Sequence, residues 1–186
     1  AAQPPAFVFG AAAARAAAAP ARTADELAAE DPSWRAAEGA KEQGNRRFAI
    51  KEYARALECY TKAIALLKGH PAAAAAAAAG SCGAPVPSGT EALVLGALNS
   101  KAASYHSNCA AALMQLGRHA EALRACDEAL RLQPRLGKAL LRAAHVHSML
   151  GDSAEARKLY HQVTLTRTRT RTRTRTLTLA LPPGNP

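Results

Sequence analysis

Aromatic residues make up only 4% of this chain, with a single Trp. A core built around large rings is therefore not available, and small aliphatic side chains must pack closely instead. Cysteine is sparse as well: Cys59, Cys82, Cys109 and Cys126 show no C-x-x-C spacing, so there is no sign of a metal knuckle or redox pair, and a reducing, cytosolic setting is the simplest inference. Three of them, Cys59, Cys109 and Cys126, lie in helical patterns where Cys serves as a small packing residue. No apolar run approaches the ~18 residues needed to span a bilayer, and a soluble chain is expected. A Gly-rich phosphate loop, a nucleophile beside a base and a carboxylate pair in a suitable frame are all missing. His145 and His147 stand two apart and point in different directions on a helix, whereas a metal pair needs a spacing of about four. The expectation is a chain without catalytic residues, metal or cofactor.

Acid is the other shortage. Against 24 Lys and Arg there are 14 Asp and Glu, a formal charge of +10 that suggests a nucleic-acid or membrane partner until its origin is traced. Five of those charges are Arg167, Arg169, Arg171, Arg173 and Arg175, alternating with Thr in a low-complexity tail over 164–186. Strict alternation has the period of a strand, but one face would be all Arg and no partner strand exists, so disorder is expected there. Counterion release gives such a tail a nonspecific attraction for RNA or acidic lipid. No aromatic is interleaved for base stacking, however, and nucleic acid is not the expected partner. Residues 1–33 are Ala-rich, with Pro4, Pro5 and Pro20, and Arg15 and Arg22 precede the first acid, Asp25. Early basic residues of this kind are shared with organelle transit peptides, which leaves organelle targeting as the alternative to a cytoplasmic location.

What the sequence holds in quantity is one helical pattern, repeated. Ala56, Tyr60 and Ala63 recur as Ala122, Cys126 and Ala129, and again as Ala156, Tyr160 and Val163, spaced four and three apart on one helix face. Upstream of each lies a second helical pattern with a small residue, Gly44, Ala110 or Ala144, that lets two helices approach closely. The second and third copies stand 34 residues apart, the period of a helix-turn-helix solenoid, with Gly117 and Gly151 in the turns and Pro134 after the second unit. The fold class expected is all-α, a solenoid of three repeats within a domain at 34–163. The repeats fall at about 37–70, 103–136 and 137–163, and an insertion occupies 71–102.

The first and second copies are 66 residues apart (Ala56 to Ala122), one period plus the insertion. From Pro71 through the alanine run Ala72 to Ala79 and on to Gly89 the insertion reads as a loop bounded by breakers. From Thr90 onwards apolar periodicity returns, which predicts a lengthened first helix for the second unit. After Val163 no further helix covers the last hydrophobic face, unless Leu177 to Leu181 fold back onto it; an uncovered end makes a solenoid less stable.

Five polar residues are spread over the three first helices. Counted from Ala37, Ala103 and Gly137, Lys41 and Asn45 take positions five and nine, Asn108 and Arg142 take six, and Lys138 takes two. Positions two, five, six and nine form one stripe along a helix. First helices line the concave side of such a stack, so the five side chains converge on one groove. One such residue alone is an ordinary solvated face; five in register are a receptor. Asn amides donate hydrogen bonds, Lys adds charge, and Arg holds a carboxylate through two parallel bonds. A chain terminus ending in Asp, with two carboxylates close together, is the ligand they fit. Phe48, Ala111, Met114 and Gln115 lie further along the same faces, where they either receive the aliphatic part of a peptide or pack within the solenoid.

From about Ala37 to Val163 the chain resembles the tetratricopeptide repeat family. Lys41-Glu42-Gln43-Gly44-Asn45, Tyr105-His106-Ser107-Asn108 and Lys138-Ala139-Leu140-Leu141-Arg142 are similar to the signature segments of its dicarboxylate-clamp co-chaperones. The resemblance implies binding of the Glu-Glu-Val-Asp tails of the seventy- and ninety-kilodalton heat-shock chaperones, with Lys41, Asn45 and Asn108 on the terminal Asp and Lys138 and Arg142 on the other carboxylates. Cys109 and Ala143 depart from it, standing where basic residues are common. The alternative implied is a repeat fragment of a larger protein, such as an isomerase, a phosphatase, a J protein or an organelle import receptor, that docks on chaperones. A generic protein-interaction scaffold also remains open.

Overall fold

The structure is a computed structural model that describes residues 31–79 and 89–165, together with residues 23, 25 and 26. Those described form an all-α chain: α1 (Pro32–Ala49), α2 (Tyr53–Lys68), α3 (Pro71–Ala79), α4 (Gly89–Gln115), α5 (His119–Leu132), α6 (Gly137–Met149) and α7 (153–165). Of the expected N-terminal segment, residues 31–33 form the start of α1 with its cap, and of the expected Thr/Arg tail, 164–165 end α7; the expectations for most of 1–30, for 80–88 and for 166–186 with Leu177 to Leu181 lie outside the described residues. No helix among them is long and apolar enough to cross a membrane.

Local chemistry sets the boundaries. Asp31 caps α1, its carboxylate accepting the Ser33 amide at 2.7 Å, with Pro32 in the first turn where a missing N–H costs nothing. The turns α1–α2, α4–α5 and α6–α7 share one hydrogen-bond pattern: Glu52 N–H to Arg47 C=O and Lys51 to Phe48, then Arg118 to Leu113 and Gly117 to Met114, then Asp152 to His147 and Gly151 to Ser148. This is a Schellman closure, which needs one left-handed residue. Gly117 and Gly151 supply it with φ of 73° and 85°, while the first unit uses Lys51 at φ 65°. A side chain in that region costs roughly 1–2 kcal/mol, against the roughly 0.5–1 kcal/mol of extra chain entropy that Gly loses on folding. Lys51→Gly is therefore expected to stabilise the chain by about 0.5–1 kcal/mol, seen as a rise of a few degrees in the melting temperature. An unchanged or lower midpoint rules this out.

Successive helices pack as α1 on α2, α2 on α4, α4 on α5, and α6 against both α4 and α5. Within the first unit the core is Trp34, Ala37 and Ala40 of α1 with Ala56, Tyr60, Ala63, Ile64 and Leu67 of α2, closed by Leu98, Tyr105, Cys109 and Ala112 of α4. Later layers are small, Ala110 with Cys126 and Ala143, and Leu113 with Ala122 and Val146. Alanine buries little area, so most of the hydrophobic stabilisation falls to the few larger residues, at about 1.5–3 kcal/mol for each fully buried Leu or Ile.

The insertion departs from expectation. Pro71–Ala79 is a helix, not a loop. Alanine has the highest helix propensity, Pro71 stands at the helix start where it is tolerated, and the His70 ring caps the end, Nδ1 accepting the Ala72 amide at 3.2 Å. Ala72 and Ala73 pack on the first core. The lengthened helix expected from Thr90 is present as the 27-residue α4, about 40 Å long.

Candidate functional site

Lys41 and Asn45 on α1, Ser104, Ser107 and Asn108 on α4, and Leu136 and Lys138 at the start of α6 line one depression of about 370 Å³. Four of the five expected clamp residues thus share a single concavity, fed by the first helix of each repeat. Arg142, one turn beyond Lys138 on α6, stands beside it and donates through its guanidinium to the Ser107 hydroxyl. The 32-residue insertion leaves Asn108 in this row, because α4 is one unbroken helix that packs on α2 as well as on α5.

The side chains of this row are held by neighbours. The Tyr60 hydroxyl donates to Asn45 Oδ1 at 2.9 Å, which leaves the amide NH₂ as a donor. Ser107, buried to 1% exposure, fixes the half-buried Arg142. Burial lowers the Arg142 pKa from its ordinary value, yet a guanidinium remains charged at any working pH. Lys41 Nζ donates to Glu38 Oε2 at 2.7 Å. The other Glu38 oxygen accepts from Lys101 Nζ at 2.9 Å and from the Tyr105 hydroxyl at 2.8 Å. Burial works to raise the Glu38 pKa, but the hydrogen bonds from Lys41, Lys101 and Tyr105 outweigh it and hold the group down at about 2. Burial and the Glu38 contact push the Tyr105 phenol well above its usual range. Lys138 is exposed and makes no ion pair among the described residues.

Other sequence candidates are placed differently. Phe48 packs on the first core and meets Tyr53 edge-on at 5.1 Å, and Met114 packs on the Leu113 layer. Ala111 is half-buried and Gln115 exposed; none of the four lines the depression. Burial raises Cys109 to about 12 and Cys126 to about 11, which makes both thiols inert. His145 is exposed, and His147 Nδ1 lies 3.3 Å from Asp152. Larger depressions of about 510 and 430 Å³ open between α2, α4 and α5, the first also bordered by α3, but their linings are mainly Leu, Ile and Ala. The depression of about 370 Å³ is the one lined by Lys41, Asn45, Asn108 and Lys138.

Sequence reasoning missed Glu38, Tyr60, Lys101, Ser104, Tyr105 and Ser107. A signal existed for three of them: Glu38 and Ser104 share position two of their repeats with Lys138, and Ser107 shares position five with Lys41. The remaining contacts join helices far apart in the chain and leave no local pattern.

Residues 113–175 match the family model described as tetratricopeptide repeat. With the helix-pair fold above, that match identifies tetratricopeptide repeat sequence over this third of the chain. The chain is similar to DnaJ homolog subfamily C member 7 of Homo sapiens, 32% identical over 142 residues that make up 76% of this chain and 22% of that protein. It is also similar to mitochondrial import receptor subunit TOM70 of Rattus norvegicus, 30% identical over 119 residues, 64% of this chain and 15% of that protein. The chain therefore spans about a fifth or less of the length of these relatives. Among solved structures it is similar to the second TPR of Spaghetti (RPAP3) bound to the HSP90 peptide SRMEEVD, with 25% identity, a TM-score of 0.50, and coverage of 70% of this chain and 85% of that one.

Proposed function

We propose that this chain is a non-enzymatic, co-chaperone-type adaptor that binds the acidic C-terminal Glu-Glu-Val-Asp tail of heat-shock chaperones through a dicarboxylate clamp of Lys41, Asn45, Asn108, Lys138 and Arg142. The observation that carries the reading is the shared depression: two ammonium groups and two amides from three helices face one space, with a guanidinium at its side. Several donors at different heights suit the two carboxylates of a C-terminal Asp better than a single anion. Support also comes from the similarity to a repeat domain solved with a peptide ending in Glu-Glu-Val-Asp. The repeat domain at 34–163 is the binding unit, the partners are the seventy- or ninety-kilodalton chaperones, and the setting is the cytoplasm.

The short share of each relative favours a second reading, in which this module docks a larger J-domain co-chaperone or import receptor onto chaperones while other domains act. Both readings give the groove the same ligand. Fluorescence anisotropy of a labelled peptide ending in Met-Glu-Glu-Val-Asp tests it, with the C-terminally amidated peptide as control. Saturable binding that is lost on amidation is expected; equal binding of both peptides, or none by the folded chain, removes the clamp.

A further inference from the structure

Position two of the three repeats holds Glu38, Ser104 and Lys138, so charge runs from negative to positive across the groove. An acid at one end of an anion-binding site needs an explanation, because it repels the ligand. Glu38 does not line the depression itself. It sits beside the side chain of Lys41, its Oε2 taking the Lys41 ammonium at 2.7 Å. Its Oε1 is filled by Lys101 at 2.9 Å and Tyr105 at 2.8 Å. Lys101 is fixed in turn, its ammonium 5.2 Å from the centre of the Trp34 ring. Two residues of α4 and one of α1 thus hold the carboxylate in place, and each of its oxygens has a donor.

We infer that Glu38 is an internal competitor for Lys41, and that Lys101 is a positioning residue that draws Glu38 away and thereby sets how much of the Lys41 charge an incoming carboxylate meets. This rests on the clamp reading above. An ammonium has three donors, so Lys41 can bridge Glu38 and a peptide carboxylate at once. The two carboxylates then stand as like charges a few ångströms apart in a partly shielded site, with the one Lys41 charge shared between them and Lys101 neutralising Glu38 from its other side. The pair acts as a brake on affinity. It favours tails that bring two carboxylates, whose second group reaches Lys138 or Arg142, over tails that bring one.

Because removal of a buried-side acid ordinarily damages a site, the sign of the effect is the test. Peptide affinity is measured by anisotropy on the full chain for Glu38→Gln, Lys101→Met, their double variant and Lys101→Arg. Glu38→Gln is expected to tighten binding about 3- to 10-fold at low salt and Lys101→Met to weaken it about 3-fold, both effects shrinking as salt rises. In the Glu38→Gln background, Lys101→Met is expected to lose most of its effect, and Lys101→Arg keeps wild-type affinity. A peptide with its two Glu residues replaced by Gln should gain more from Glu38→Gln than the parent peptide does. Weaker or unchanged binding by Glu38→Gln, or an equal Lys101→Met effect in both backgrounds, overturns the inference while a wild-type chain that still prefers the free carboxylate keeps the clamp. A wild-type chain indifferent to amidation removes both.

Discussion

Arg142→Ala weakens a peptide ending in Glu-Glu-Val-Asp by about 10- to 100-fold, the largest expected effect on binding of any single change to the groove. A charge-assisted hydrogen bond contributes ~1.5–3 kcal/mol and each ~1.4 kcal/mol is a factor of ten in affinity. Arg142 is half-buried and already bonded to the buried Ser107 hydroxyl, so its guanidinium is ordered before the ligand arrives, and unlike Lys41 it is held by a neutral group and not by an acid. Lys138 is exposed and pays ordering entropy on contact, so Lys138→Ala sits nearer the 10-fold end of the same range. Arg142→Lys restores only part of the loss, since an ammonium cannot hold Ser107 and a carboxylate in one planar fork. Helical circular dichroism stays at the wild-type level in all three. If both alanine variants bind the peptide as the wild type does, the clamp is not the binding site.

The repeat and its groove were legible because they depend on spacing. Ala56, Ala122 and Ala156 fix the register, and once it is known, Lys41, Asn45, Asn108, Lys138 and Arg142 fall on one stripe without any knowledge of their contacts. Two features of the fold escaped. Ala72 to Ala79 carries no amphipathic period, so only the flanking breakers were visible, while intrinsic propensity and the Pro71 start made it helical. Lys51 hides the first turn, since a Lys does not announce a left-handed residue as Gly117 and Gly151 do. The supports of the site escaped for a different reason. Tyr60 reaches Asn45 across 15 residues, Ser107 meets Arg142 across 35, and Lys101 and Tyr105 reach Glu38 across 63 and 67. Contacts at such separations follow from how helices dock, which no local window contains.

Helix docking in the first unit turns on Gly44, and the largest expected loss of stability follows from it. A Cβ at this position would stand 2.5 Å from Tyr60 Cε1 and 2.7 Å from Cδ1. The ring cannot swing away freely, because it is 2% exposed among core residues and its hydroxyl is bonded to Asn45. Overpacking of this kind costs about 1–3 kcal/mol, more than the roughly 0.5–1 kcal/mol that replacing a mid-helix Gly returns. Gly44→Val, with two further methyl groups and little gain in propensity, is expected to lose about 3 kcal/mol and to bring a lower midpoint in a urea melt. Gly39 provides the contrast on the same helix, since nothing lies within 4 Å of a Cβ built there. Gly39→Ala should stabilise by about 0.5–1 kcal/mol, so two glycines five residues apart respond with opposite signs. Any relaxation that admits the Val must move Tyr60, and Asn45 then loses the acceptor bond that turns its amide toward the groove. Gly44→Val should therefore also weaken peptide binding, whereas Tyr60→Phe, which keeps the ring and removes only the hydroxyl, should weaken binding several-fold at nearly wild-type stability. A Gly44→Val chain as stable as the wild type would mean that α1 and α2 do not approach as closely as the Tyr60 contact requires.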